Sequence, residues 1–309
     1  MAFKIPQSAR AGAAVLLGVA GIWGATLSFT KEAQAVVGIN EFLALRFAVA
    51  ALVLVPFLPK IRKGSISLAN TSLSIVLGGV LYGIFYLQSA GLKMVTTAAT
   101  GFITGTNVVM VPLIASLLFR SKVSRRIWLG ILVTMVGLGF VAGGGLLSPT
   151  SGYWLVLLSA FLIAVDIIAV EKIMGSIDAT WLAFVEIVTV VVISSAFSFS
   201  GVNAGFGGAK AISSLTVVLA LVFNGVLGTA FALWAQNYYQ VIVPSAQVAV
   251  IFSTEPIFAA IVARLFFGGI VTLNVIFGGM LVLFGVTIAD EEAFGYVSSK
   301  FLRKGGKSH

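Results

Sequence analysis

The chain has 309 residues, 59% of them hydrophobic and only 9% charged, and its mean hydropathy of +1.11 leaves too little polar surface for a water-soluble domain of that size. It contains no cysteine and a single, terminal histidine, His309, which excludes disulfides, thiolate or histidine metal sites, thiol nucleophiles and a serine–histidine triad. The net charge of +9 does not point to nucleic acid, because the basic residues lie mostly in short loops and tails between apolar runs, where they set membrane topology.

Ten apolar runs are long enough to cross a bilayer. In the first half they cover 11–30, 42–58, 73–92, 97–119 and 127–147; in the second, 153–170, 181–199, 215–238, 245–267 and 271–289. The loops are short, and no soluble domain or low-complexity linker separates the runs. Ala33-Gln34-Ala35 has the form of a signal-peptidase site, but the run before it is too long for a signal core and nine more spans follow, so it reads as an uncleaved first helix. Pro112 and Pro256 each remove an amide donor inside a span and are the expected helix breaks. Gly143-Gly144-Gly145 ends the fifth span and is too weak a pattern for a phosphate cradle; no ATPase-type phosphate loop occurs.

The chain also carries itself twice. Sliding residues 88–138 forward by 148 positions lays Gln88 on Gln236, Ala98 on Ala246, Ile103 on Ile251 and Thr106 on Thr254. At the same offset Leu117 meets Leu265, Phe119 meets Phe267, Val123 meets Val271, Gly130 meets Gly278 and Gly137 meets Gly285. The halves are 1–148 and 149–309, the second ending in a short basic tail. Each copy has an odd number of spans, so the second must lie upside down relative to the first. The expected fold is all-α integral membrane, with ten transmembrane helices as a 5+5 inverted-topology repeat. Loop charges orient it: with the amino terminus inside, cytoplasmic segments hold Lys4, Arg10, Lys60, Arg62, Lys63, Arg120, Lys122, Arg125, Arg126, Lys172, Lys300, Arg303, Lys304 and Lys307. External loops hold little beyond Lys31, Lys93, Lys210 and Arg264, which places both termini in the cytoplasm and the protein in the inner (plasma) membrane.

Several stretches resemble the drug/metabolite transporter superfamily, and within it the EamA-type members. They are Gly21-Ile22-Trp23-Gly24, Glu41 to Arg46, Gln88 through Gly137, and Ala232 through Ala289 with Pro244-Ser245-Ala246 and Thr254-Glu255-Pro256. The resemblance spans nearly the whole chain. It implies an exporter of amino acids, other small metabolites or toxic organic compounds, with spans 1 to 4 and 6 to 9 around a central cavity and spans 5 and 10 as support. The family often has a glutamate before the turns that open spans 5 and 10; here Ser121 and Gly269 stand there, while Ser124 and Thr272 remain as N-caps.

Ionisable groups inside spans mark function, because burying a charge there is costly without a partner or a water-filled cavity. Glu255 precedes Pro256, and its repeat mate is Asn107, which puts two polar groups at equivalent depths in the two halves. The competing role for Glu255 is structural, capping the broken helix. Asp166 is the second candidate for a protonatable coupling group. Arg46 is expected to form a structural ion pair with Glu186, or with Asp166, lowering the burial cost of both partners.

Tyr82 and Tyr86, four apart on one helix face, together with Trp23, Asn224 and Trp234, could hold amphipathic substrates by stacking, cation–π contact and hydrogen bonding. Tyr238, Tyr239, Trp128, Trp154 and Trp181 read instead as interfacial anchors. The expected function is secondary transport by alternating access, exporting small organic metabolites such as amino acids. The substrate-binding candidates are Trp23, Tyr82, Tyr86, Asn107, Asn224, Trp234 and Glu255. No cofactor, metal or nucleic acid is called for; the partners are a small-molecule substrate and the lipid bilayer, and the protein is a monomer or homodimer. The alternatives are a non-transporting intramembrane enzyme or scaffold, and a channel, for which no ring of like charge is evident.

Overall fold

The computed structural model describes residues 8–61, 64, 66–119, 123–142, 151–200, 213–268 and 272–289. Ser121, Gly269, the 143–145 glycines, the 148/149 boundary, His309 and the basic residues Lys4, Arg62, Lys63, Arg120, Lys122, Lys210, Lys300, Arg303, Lys304 and Lys307 lie outside them.

Among the described residues the architecture is helical throughout, apart from one isolated bridge between Met174 and Ile177. An apolar chain in lipid must pair its backbone groups within each segment, which leaves helices as the solution here. The first six are α1 (Ala9–Ala33), α2 (Ile39–Leu54, continued by a 3-10 turn, Val55–Lys60), α3 (Leu68–Leu92), α4 (Thr97–Gly105), α5 (Asn107–Phe119) and α6 (Arg125–Ala142). They are followed by α7 (Ser151–Ile173), α8 (Ala179–Ser200), α9 (Leu215–Val222), a π-helical segment (Phe223–Phe231) running into α10 (Ala232–Tyr239), α11 (Ser245–Phe252), α12 (Glu255–Phe266) and α13 (Leu273–Ala289). Eight helical stretches are long and apolar enough to cross a membrane, and α13, at 17 residues, is a shorter apolar helix.

Hydroxyl caps fix several helix starts. Ser8, Ser67, Thr96 and Ser214 accept from the backbone amides of Ala11, Asn70, Ala99 and Val217. Ser124 and Thr272 do the same for Ile127 and Val275, as the sequence suggested. Glu171, near the end of α7, accepts from the Ser245 amide and so caps α11.

Glycines set how closely the helices pack. A Cβ on Gly130 in α6 would lie 2.7 Å from the Gly285 carbonyl oxygen in α13, and one on Gly137 would lie 2.6 Å from that of Gly278. Backbone therefore meets backbone along this pair, as small residues permit between helices in lipid. The contacts are reciprocal: Gly130 and Gly137 lie 148 positions before Gly278 and Gly285, and each touches the counterpart of the other. The same exchange holds more widely. α1 packs on α12 while α7 packs on α5, and α2 packs on the π segment while α8 packs on α3. Two large apolar clusters result, one around Leu16, Ile167 and Val248, the other around Phe47, Leu81 and Ile187, with Trp23, Ile163 and Trp234 packed against both.

Candidate functional site

Three of the spans are interrupted in their middles, and at two of the interruptions a polar residue, Asn107 or Glu255, lines a common cavity. α4 ends at Gly105, where the Thr106 hydroxyl donates to the Ile103 carbonyl at 2.6 Å. The matching break between α11 and α12 uses Ser253 and Thr254, whose hydroxyls donate to Val250 and Ile251 carbonyls at 2.5 and 2.8 Å. Threonine and serine hydroxyls thereby bond back to carbonyls of the preceding turn at each break. Pro256 lies in the first turn of α12, where its missing amide is an orphan in any case. Pro112 plays no such part: α5 runs through it unbroken, and the first-half break falls six residues earlier, at Thr106.

Between these breaks lies a central chamber of about 50 Å³. Four pairs of its lining residues are separated by 148 positions: Phe85 and Leu233, Gln88 and Gln236, Thr104 and Phe252, Asn107 and Glu255. Trp23 and Thr26 from α1 and Ile163 and Asp166 from α7 complete most of the wall. Trp23, Asn107, Asp166 and Glu255 are therefore brought together. Gln88 donates to the Thr104 hydroxyl at 3.1 Å, and Gln236 donates to Asp166 Oδ2 at 3.2 Å. Asp166 Oδ1 and Asn107 Oδ1 are buried with no hydrogen-bond partner. Glu255 is 8% exposed and sits in the first turn of α12, where the helix N-terminus favours a carboxylate. The N-cap of α12 is Thr254, whose side chain makes no cap bond.

The expected ion pair is absent. Arg46 is buried, but its Nε donates to Thr229 Oγ1 at 2.8 Å and its Nη2 to the Gly228 carbonyl at 3.2 Å, and its guanidinium lies 4.5 Å from the centre of the Phe85 ring. The π segment supplies both hydrogen-bond acceptors, and the ring face adds a cation–π contact. Glu186 accepts instead from Asn237 at 3.1 Å. Asp166, the other partner considered for Arg46, is held by Gln236 and lies within electrostatic reach of Glu186.

Four other candidates lie off the chamber. Tyr82 donates to Asn40 Oδ1 at 3.0 Å and stacks with Tyr86 and with Phe197 of α8, away from the centre. Asn224, fully buried in the π segment, donates to Thr30 at 3.2 Å and ties it to α1. Trp234 stacks on Tyr238 and lines two larger clefts, of about 480 and 510 Å³, at the end of the bundle that holds the α7–α8 turn. Gln88, Gln236 and Thr104 line the chamber without having been singled out as site residues; Gln88 and Gln236, which open the repeat alignment, were the available signal.

A bundle of long apolar helices, with a small chamber lined by buried acids and amides between broken spans, defines a multi-pass membrane protein. The EamA-like transporter family model matches residues 10–143 and again 150–289, and the chain belongs to that family. It is 30% identical over 275 residues to an uncharacterized transporter of Archaeoglobus fulgidus, covering 88% of this chain and 83% of that one. It is also 24% identical over 220 residues to the uncharacterized transporter YdfC of Bacillus subtilis, covering 69% of each. A solved crystal structure shares the fold, with a TM-score of 0.72 at 16% identity, over 92% of this chain and 98% of that one.

Proposed function

We propose that the protein is a secondary transporter exporting small organic metabolites, amino acids and related amphipathic compounds among them, by alternating access through the central chamber. The observation that carries this reading is the composition of the chamber wall, four pairs of residues separated by the repeat offset of 148. In this reading α6 and α13 complete ten spans, arranged as a 5+5 inverted repeat with an axis through the chamber. The reciprocal glycine contacts of α6 with α13 and the two matches of the family model support it. Trp23, Asn107 and Glu255 form the substrate site, and Glu255 or Asp166 exchanges the coupling proton. Tyr82, Tyr86, Asn224 and Trp234 act outside the chamber.

The loop charges support cytoplasmic termini in an inner-membrane protein. The clefts lined by Trp234 then open on the cytoplasmic side, while the chamber is narrow, a distribution of space suited to a carrier with a closed centre. The working unit is a monomer or homodimer. The test is counterflow in proteoliposomes of the purified chain, preloaded with unlabelled amino acids and given a radiolabelled mixture outside. Saturable accumulation that requires the preload is expected; no flux would favour a scaffold or an intramembrane enzyme.

A further inference from the structure

We propose that the chamber is an ammonium subsite, so that the transported compounds are organic amines recognised through their cationic nitrogen and not through a carboxylate. This rests on the transport reading above and narrows its substrate class.

The first ground is the charge of the wall. Asp166 and Glu255 both line the chamber, and among the described residues no lysine, arginine or histidine does. Arg46, the buried cation of the bundle, is turned to Thr229, the Gly228 carbonyl and the Phe85 ring, and is not part of the lining. A carboxylate entering here would meet two acids without a compensating base, at the desolvation cost that buried unpaired charge carries.

The second ground is unpaired acceptors, one of them on an amide. Asn107 is 2% exposed and Asp166 5%, and each presents an oxygen with no hydrogen-bond partner. Three lining donors are engaged: Gln88 on Thr104, Gln236 on Asp166, and the Trp23 indole N–H on the Gly228 carbonyl at 2.9 Å. The chamber therefore offers unpaired acceptors, and an ammonium, with three donors and no acceptor, is their complement. Trp23 and Phe252, in edge contact with ring centres 4.8 Å apart, add aromatic surface able to hold the cation.

Size agrees. About 50 Å³ is room for a group the size of one or two waters, so this conformation admits the ammonium head of a ligand and not its body. A metal ion is the lesser fit, since no cluster of three or more acidic, histidine or cysteine side chains able to hold one occurs among the described residues.

Three probes sharing one ring separate the possibilities: phenethylamine, phenylalanine and 3-phenylpropionate, which carry the ammonium alone, both charges and the carboxylate alone. Their affinities for the purified full chain are read by calorimetry in detergent at constant ionic strength, with sodium chloride titrated in parallel, and their transport by counterflow in proteoliposomes. The amine is expected to bind at least tenfold more tightly than the amino acid, and the acid not to saturate. Asp166→Asn should weaken amine binding tenfold or more. Asn107→Asp, which adds a third acidic oxygen pair to the wall, should strengthen it severalfold, and this holds even if Asp166→Asn fails to fold. Equal or tighter binding of the carboxylate, displacement of the amine by sodium at equal concentration, or an Asn107→Asp that does not gain affinity would overturn the subsite. Amine binding without counterflow would keep the subsite and remove the carrier; counterflow of acid and amine alike would do the reverse.

Discussion

Trp23 on α1 and Arg46 on α2 donate to one acceptor, the Gly228 carbonyl oxygen, at 2.9 and 3.2 Å. Gly228 lies in the π segment, whose wider turn changes which carbonyls the helix itself uses. One backbone atom thus ties the wall of the chamber to the buried cation behind it. A Cβ on Gly228 would lie 2.5 Å from Thr26 Cγ2, so the approach of α1 depends on glycine there.

The first prediction concerns Arg46. Because it is held by the π segment and the Phe85 ring, Arg46→Met should destabilise the folded protein by roughly 2 kcal/mol or more. Glu186→Gln should cost much less, since a glutamine oxygen can still accept from Asn237. Thermal unfolding in detergent measures both, and equal losses from the two variants would indicate an ion pair after all.

The second concerns helix contact. Gly137→Ala would push a methyl into the Gly278 carbonyl, and overpacking of this kind costs about 1–3 kcal/mol. Gly139→Ala, two residues on and with nothing near the added Cβ, should be neutral or slightly stabilising. The difference in unfolding temperature between the two is the readout.

The third divides the aromatic residues. Trp23→Ala should abolish counterflow, because it removes part of the chamber wall and the Gly228 bond together. Tyr86→Ala should leave flux near wild type, since Tyr86 is 36% exposed and faces Tyr82 outside the chamber. Tyr82→Phe should lose about 1 kcal/mol of stability with its Asn40 bond and keep transport. Flux lost in both tyrosine variants at normal protein levels would return them to the substrate path.

The spans were legible in the sequence because lipid demands long apolar runs, and the run read at 97–119 is the stretch occupied by α4 and α5. Asn107, Asp166, Glu255 and Trp23 were legible for the complementary reason: a polar or large amphipathic group in an apolar run has few places to go. Direction around a helix was not. The spacing of Tyr82 and Tyr86 puts them on one face, and only packing against Phe197 shows which way that face looks. The partner of Arg46 was unreadable because opposite charge in the sequence does not fix distance across the bundle, and the π segment that supplies its acceptors carries no proline or charge to announce it. The first-half break was misplaced because proline is a louder signal than a threonine hydroxyl, although Thr106 matches Thr254 in the repeat.

The fourth prediction concerns coupling. Glu255→Gln keeps shape and hydrogen-bonding capacity without a titratable proton, so flux driven by a pH gradient should disappear while substrate exchange persists. Asp166→Asn should chiefly weaken binding, since a bond to Gln236 can be remade with the amide reversed. Full pH-driven flux in Glu255→Gln would transfer the coupling to Asp166 or leave facilitated diffusion.

Alternating access through the chamber is tested most directly by a single cysteine at Thr104, a buried lining residue in a chain that has no other cysteine. An impermeant thiol reagent is applied to right-side-out and to inside-out vesicles, and the rate of modification is followed from each side. Reaction is expected from both sides, slowed in both cases by a transported compound. Reaction from one side only, or from neither in a protein that still supports counterflow, would contradict it.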